Sequence, residues 1–236
     1  MPRPLSRRLI KPELLDTMAV DDPRAMASRR DLVRVNAVMF QSAIMAGLLR
    51  ANLERKPLRI LEIGAGDGHF MLSVARRLGR DWSSVGLVTL DQADLMTPKV
   101  KANFGLLGWR VEPVVADVFN WIDGPGLGQF DVVTANLFLH HFQEVQLRRL
   151  FAAMPGITSR FLATEPRRNG LALWSTGWLR AIGANDVTLH DAAASVRAGF
   201  AGTELSLLWP ERSAMDLEER RVGPFTHAFV ARATAP

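Results

Sequence analysis

RILEIGAGDGHF, residues 59–70, sets an apolar run and an acid ahead of three glycines at alternate positions, and then turns apolar again. A short continuous apolar run reads as a strand buried on both faces. Glycine directly after it supplies positive φ and lets backbone approach a ligand closely, because there is no Cβ. If a helix opens near His69, its free N–H groups favour an anionic group at the same place. The run therefore predicts a strand, a ligand-facing turn and a helix. Two nucleotide patterns fail on it. G-x-G-x-x-G begun at Gly64 needs glycine where His69 stands, and begun at Gly66 it does not close at Met71. No Gly-Lys-Ser/Thr follows, which excludes a P-loop. A bare glycine turn without a ligand is the alternative for such a run taken alone.

Outward from this stretch the chain alternates. Strands are expected at 58–63, 84–90, 111–116, 130–135 and 161–164, with helices at about 69–78, 97–107 and 143–154. That rhythm predicts a parallel sheet with helices on both faces. Before it, 11–20 and 22–53 read as helical, and Asp31 is placed to cap a second helix within the longer segment. After it, 171–182 and 191–208 read as helices. Runs 216–222 and 226–233 read as an antiparallel hairpin that completes the sheet.

The first four strands end at Glu62, Asp91, Asp117 and Asn136. In a parallel sheet these carboxyl ends share one edge, where ligands bind. Singly, Asp91 and Asp117 also fit as helix caps. Together with the glycine run they outline a crevice.

At these residues the chain resembles the class I S-adenosylmethionine-dependent methyltransferases. Glu62 to Gly68 resembles their first motif, VTLDQADL the second, VVADVF the third and FDVVTANLFLHHF the fourth. The likeness spans roughly residues 57–166. It implies an α/β fold: a Rossmann-like, doubly wound sheet of seven strands, mostly parallel, with an antiparallel C-terminal hairpin. A helical lid over residues 1–55 would shape the acceptor pocket, and 56–236 would form the cofactor-binding core. The implied cofactor is S-adenosylmethionine. Gly64, Ala65 and Gly66 would pass beside its methionine part and Glu62 would bind near its ammonium. Asp91, with Gln92 beside it, would hold the ribose hydroxyls. Asp117 and Val118 would meet the adenine, and Asn136 would line the floor near the sulfonium.

The acceptor is narrowed mostly by exclusion. Amino-methylating nucleic-acid enzymes of this type carry N/D-P-P-Y/F where Asn136-Leu137-Phe138-Leu139 stands. The chain has no cysteine, which excludes a cysteine nucleophile, disulfides and thiolate metal sites. The formal charge of +5 is dispersed rather than clustered with aromatics, so a nucleic-acid partner is not expected. NLFLHHF instead resembles small-molecule enzymes of the ubiquinone, menaquinone and phenolic or polyketide group. The expected acceptor is therefore a small aromatic or apolar molecule, methylated on oxygen, in secondary metabolism. His140 and His141 are the candidate bases, His141 first. An imidazole of ordinary pKa near 6.5 can take a phenolic proton as attack proceeds. No acidic cluster asks for a metal. An RNA or protein methyltransferase and a non-catalytic binding protein on the same fold are the alternatives. No stretch is apolar over the ~20 residues a membrane span needs, and residues 1–15 do not read as a signal peptide. Both fit a cytoplasmic protein, monomeric or homodimeric.

Overall fold

The computed structural model describes residues 5–19, 21–124, 128–210 and 215–234, the side chains of Asp16, Val38 and Ile182 excepted. Seven strands form one sheet: β1 Arg59–Ile63, β2 Gly86–Asp91, β3 Arg110–Val115, β4 Val132–Asn136, β5 Arg160–Pro166, β6 Met215–Val222 and β7 Thr226–Ala233. Their order is β3-β2-β1-β4-β5-β7-β6. The first five run parallel, and β7 lies antiparallel between β5 and β6. The doubly wound sheet and its closing hairpin are thus as the sequence implies.

The order reverses between β1 and β4, where Ile60 to Ile63 pair with Val132 to Ala135. A crevice opens outside the carboxyl ends at such a reversal. The glycine turn leaves β1 there, and NLFLHHF leaves β4 beside it. Alternation along β1 sends side chains to two faces. Ile60 joins a core with Met45, Leu48 and Leu49 of α3 (Gln41–Asn52) and Met71, Leu72 and Val74 of α4 (His69–Leu78). Leu61 and Ile63 join the opposite core with Leu147, Leu150 and Phe151 of α7 (Glu144–Ile157). The shorter helices α5 (Pro98–Leu106) and α6 (Val118–Ile122) complete the two layers.

The N-terminal segment holds α1 (Leu14–Thr17) and α2 (Pro23–Val38) ahead of α3. Asp31 caps nothing: it lies inside α2, 5% exposed, and its carboxylate accepts from Asn185 N (2.9 Å) and Thr188 Oγ1 (3.2 Å). The break comes instead at Phe40, whose φ of 55° is left-handed. Asp31 is therefore a tertiary contact, and an Asp placed before an apolar period could not reveal that. After β5, the predicted helix 171–182 is α8 (Gly170–Ser175) followed by a 3-10 segment, Thr176–Ile182. The last helix, α9, is Asp186–Ala198. It starts earlier than predicted because Asn185 accepts from Thr188 N and caps it. No single described helix is long and apolar enough to cross a membrane.

Candidate functional site

Gly64, Gly66 and Gly68 all have positive φ (68°, 55° and 79°). A Cβ on Gly64 would lie 2.1 Å from Phe138 Cδ2, so this glycine lets the turns after β1 and β4 pack together. Above Gly66 a Cβ would meet nothing within 4 Å. There the bare backbone faces open space, as close approach of a ligand requires. The turn is held by Gly64 N donating to Leu90 O (2.9 Å) and by Gly66 N donating to Asp91 Oδ2 (2.8 Å).

Asp91 thus has a structural duty. Its other oxygen accepts from Ala93 N (3.0 Å), and both oxygens keep lone pairs for a further donor. Asp117 Oδ1 accepts from Phe119 N and Asn120 N (2.9 and 3.0 Å) and caps α6. Asn136 Oδ1 accepts from Thr164 Oγ1 (2.8 Å), which ties its side chain to β5. Glu62 is 1% exposed, and its Oε2 has no hydrogen-bond partner. Burial, with the charges of Asp91 and Asp67 adding to it, holds its pKa well above the usual carboxylate range. A buried carboxyl oxygen left unpaired is costly, and an ammonium group would satisfy it.

One cavity of about 840 Å³ lies along this edge. Gly64, Ala65, Gly66, Asp91, Gln92, Asp117, Val118, Asn136, His140 and His141 all border it. Of the residues expected at the cofactor or the reacting centre, Glu62 alone does not border it. Its roof is largely apolar, with Met18, Leu32, Val35 and Met39 from the N-terminal segment and Trp178 and Leu179 from the 3-10 segment, and with Ser28, Arg29 and Asn36 of α2 adding polar groups. The volume falls in the ordinary range for a small-molecule site.

The two histidines differ. His140 is 2% exposed. Its Nδ1 is 2.8 Å from Glu165 Oε2, and its Nε2 is 3.4 Å from Glu13 Oε1. Burial lowers its pKa, but the bond to Glu165, the contact with Glu13 and the charges of both outweigh this and lift it to about 9. Burial likewise raises Glu13, yet the contact with His140 at 3.4 Å and its charge bring Glu13 down to about 2. Glu165 is lowered too, since its bond to His140 prevails over burial. Two carboxylates thus enclose an imidazolium. Glu165 also accepts from Phe138 N, Leu139 N and His140 N (3.0, 2.8 and 3.3 Å) and so sets the loop after β4. His141 is half-buried, its ring 4.3 Å from that of His140.

Sequence reading missed Glu13 and Glu165. An acid at the end of a buried strand was a visible signal for Glu165. Glu13 gave no local signal, because only the fold carries it to His140.

Comparison with known proteins agrees with this geometry. Residues 60–159 match the methyltransferase domain family. No curated protein matches the chain. Among solved structures, an O-methyltransferase family protein from Burkholderia thailandensis is 16% identical with a TM-score of 0.61, covering 92% of this chain and 61% of that one. The plantazolicin methyltransferase BpumL, solved with a monoazolic desmethylPZN analog and SAH, is 14% identical with a TM-score of 0.64, covering 90% and 91%. The pyocyanin biosynthetic protein PhzM is 20% identical with a TM-score of 0.61, covering 91% and 60%. The chain spans about three fifths of the length of the first and third, and at these identities the likeness is one of fold. Residues 60–159 are therefore similar to a methyltransferase domain, and the seven-stranded sheet that holds them has the fold of these solved methyltransferase structures.

Proposed function

We propose that the chain transfers a methyl group from S-adenosylmethionine to an oxygen of a small aromatic or apolar acceptor, such as a phenol or a polyketide-like compound of secondary metabolism. The observation that carries this reading is the cavity that runs continuously from the glycine turn to a largely apolar roof, with the histidine pair on its wall. An O-methyltransferase family protein and a pyocyanin biosynthetic protein are among the structures that share this fold.

S-adenosylmethionine brings an electrophilic methyl group on a sulfonium. The chain's own residues hold it. Glu62, which does not border the cavity, would reach the ammonium through water, Gly64 to Gly66 would pass beside the methionine part, and Asp91 with Gln92 would accept from the ribose. Asp117 and Val118 flank the adenine, and Asn136 backbone forms the floor. In-line displacement demands that both reactants be aligned beforehand. We assign that task to the roof: α1, α2 and the 3-10 segment act as a lid, while α3 belongs to the core by its packing.

His140 is a poor base. Between two carboxylates it is already protonated at neutral pH, so it has no lone pair to offer. We therefore assign proton acceptance to His141, with His140, Glu13 and Glu165 holding the wall on which it stands. The test is mass-spectrometric detection of methylated product from a panel of phenols, with RNA and protein acceptors as controls. His141→Ala should lower turnover by about 10²–10⁴-fold and leave cofactor affinity within twofold. Methylation of RNA or protein in preference to every small acceptor would overturn the reading.

A further inference from the structure

Glu13, His140 and His141 each offer one ligand atom, and these three atoms lie within 4.8 Å of one another on the cavity wall. The pair His140 Nε2 and Glu13 Oε1 is separated by 3.4 Å. That is long for a hydrogen bond, and the buried Nε2 has no hydrogen-bond partner. It matches two ligands on one tetrahedral ion, which stand about 3.3 Å apart when each bond is 2.0–2.1 Å. The far side of the ring is held as well. Nδ1 meets the buried Glu165 carboxylate at 2.8 Å, the outer partner that fixes a metal-binding histidine with Nε2 turned inward. Ser195 donates to Glu13 Oε1 and steadies the third ligand.

We propose that Glu13, His140 and His141 bind a divalent transition cation of the zinc class, and that loading this site silences methyl transfer by occupying His141. Two imidazoles and one carboxylate suit zinc rather than magnesium or calcium, which take oxygen ligands. Three protein ligands leave the fourth tetrahedral position to water or to a molecule in the cavity. Both imidazoles bind such an ion as neutral ligands. The silencing half rests on the methyl-transfer reading above, since a coordinated His141 cannot accept a proton. The binding half does not.

The experiment is equilibrium dialysis of the full chain against zinc chloride, followed by metal analysis. About one zinc per chain should be retained, and none of magnesium chloride offered alone. Glu13→Gln and His141→Gln should each weaken retention by at least tenfold, and Glu165→Gln should weaken it by about 10–100-fold through the outer partner. Cobalt chloride should give the intense visible absorption of a low-coordinate site, lost in His141→Gln. Transfer to a phenol should fall in step with zinc occupancy and return with a chelator. No zinc retained, or equal retention in Glu13→Gln and His141→Gln, overturns the site. Transfer that rises with zinc overturns the silencing. Dialysis reads the site without reference to transfer, so a chain that binds zinc but methylates nothing counts against the proposed function and upholds the site.

Discussion

Replacing Glu165 by glutamine tests the wall of the site at its least exposed point. The carboxylate is fully buried and takes four contacts, three from backbone N–H groups and one from His140 Nδ1. Glutamine keeps one acceptor oxygen but turns an NH2 group toward donors at His140. Removing one partner of a buried ion pair costs roughly 3–5 kcal/mol. The pH dependence offers a second magnitude. The folded pKa of His140 is about 9, raised from 6.5. A raised pKa stabilises the fold fully below the unfolded value and ceases to do so as pH rises through the folded value. The shift is worth about 3 kcal/mol at one pKa unit per 1.36 kcal/mol. That contribution should be present at pH 6 and gone by about pH 10, with Glu165 ionised throughout. In urea unfolding, Glu165→Gln should lower the midpoint with the slope unchanged. The gap between parent and variant should be widest near pH 6 and narrow by about 1–2 kcal/mol toward pH 10, because the variant has lost much of the raised pKa. A gap below 1 kcal/mol at pH 6, or one constant across that window, would falsify the enclosed imidazolium.

The glycines should separate by surroundings. Gly64→Ala places a Cβ against Phe138 in a left-handed backbone, and thermal unfolding should show a loss of at least about 2 kcal/mol. Gly66→Ala has open space and should lose only about 1–2 kcal/mol, with weaker cofactor binding by calorimetry; equal losses in the two would contradict the contact. Asp91→Ala should weaken S-adenosylmethionine by about 1.5–3 kcal/mol, and unchanged affinity would remove Asp91 from the ribose. Deleting residues 1–21 should leave a folded chain that binds cofactor and transfers no methyl, as judged by circular dichroism and product detection. Deleting through Leu53 removes Met45, Leu48 and Leu49 from the core and should leave no soluble protein; normal transfer by the shorter deletion would show that α1 is not part of the lid.

The parallel sheet, the closing hairpin and the edge that carries the site follow from local pattern. A buried strand, a glycine turn and a polar residue at each strand end are properties of neighbouring residues, set by side-chain period and backbone freedom. For the same reason Gly64, Gly66, Asp91 and Asn136 could be placed on the crevice before any coordinates. What a side chain does there is less local. Asp117 shows its capping bonds, Asn136 turns to Thr164, and Asp31 bonds across to α9 although its surroundings read as a helix start. The histidines mark the limit. HH after the fourth strand announces two imidazoles, but their protonation depends on Glu13 and Glu165, which arrive from distant parts of the chain. Charge in a buried site is decided by what surrounds it in three dimensions, and only the tertiary structure encloses His140 between two carboxylates and sets His141 on the cavity wall.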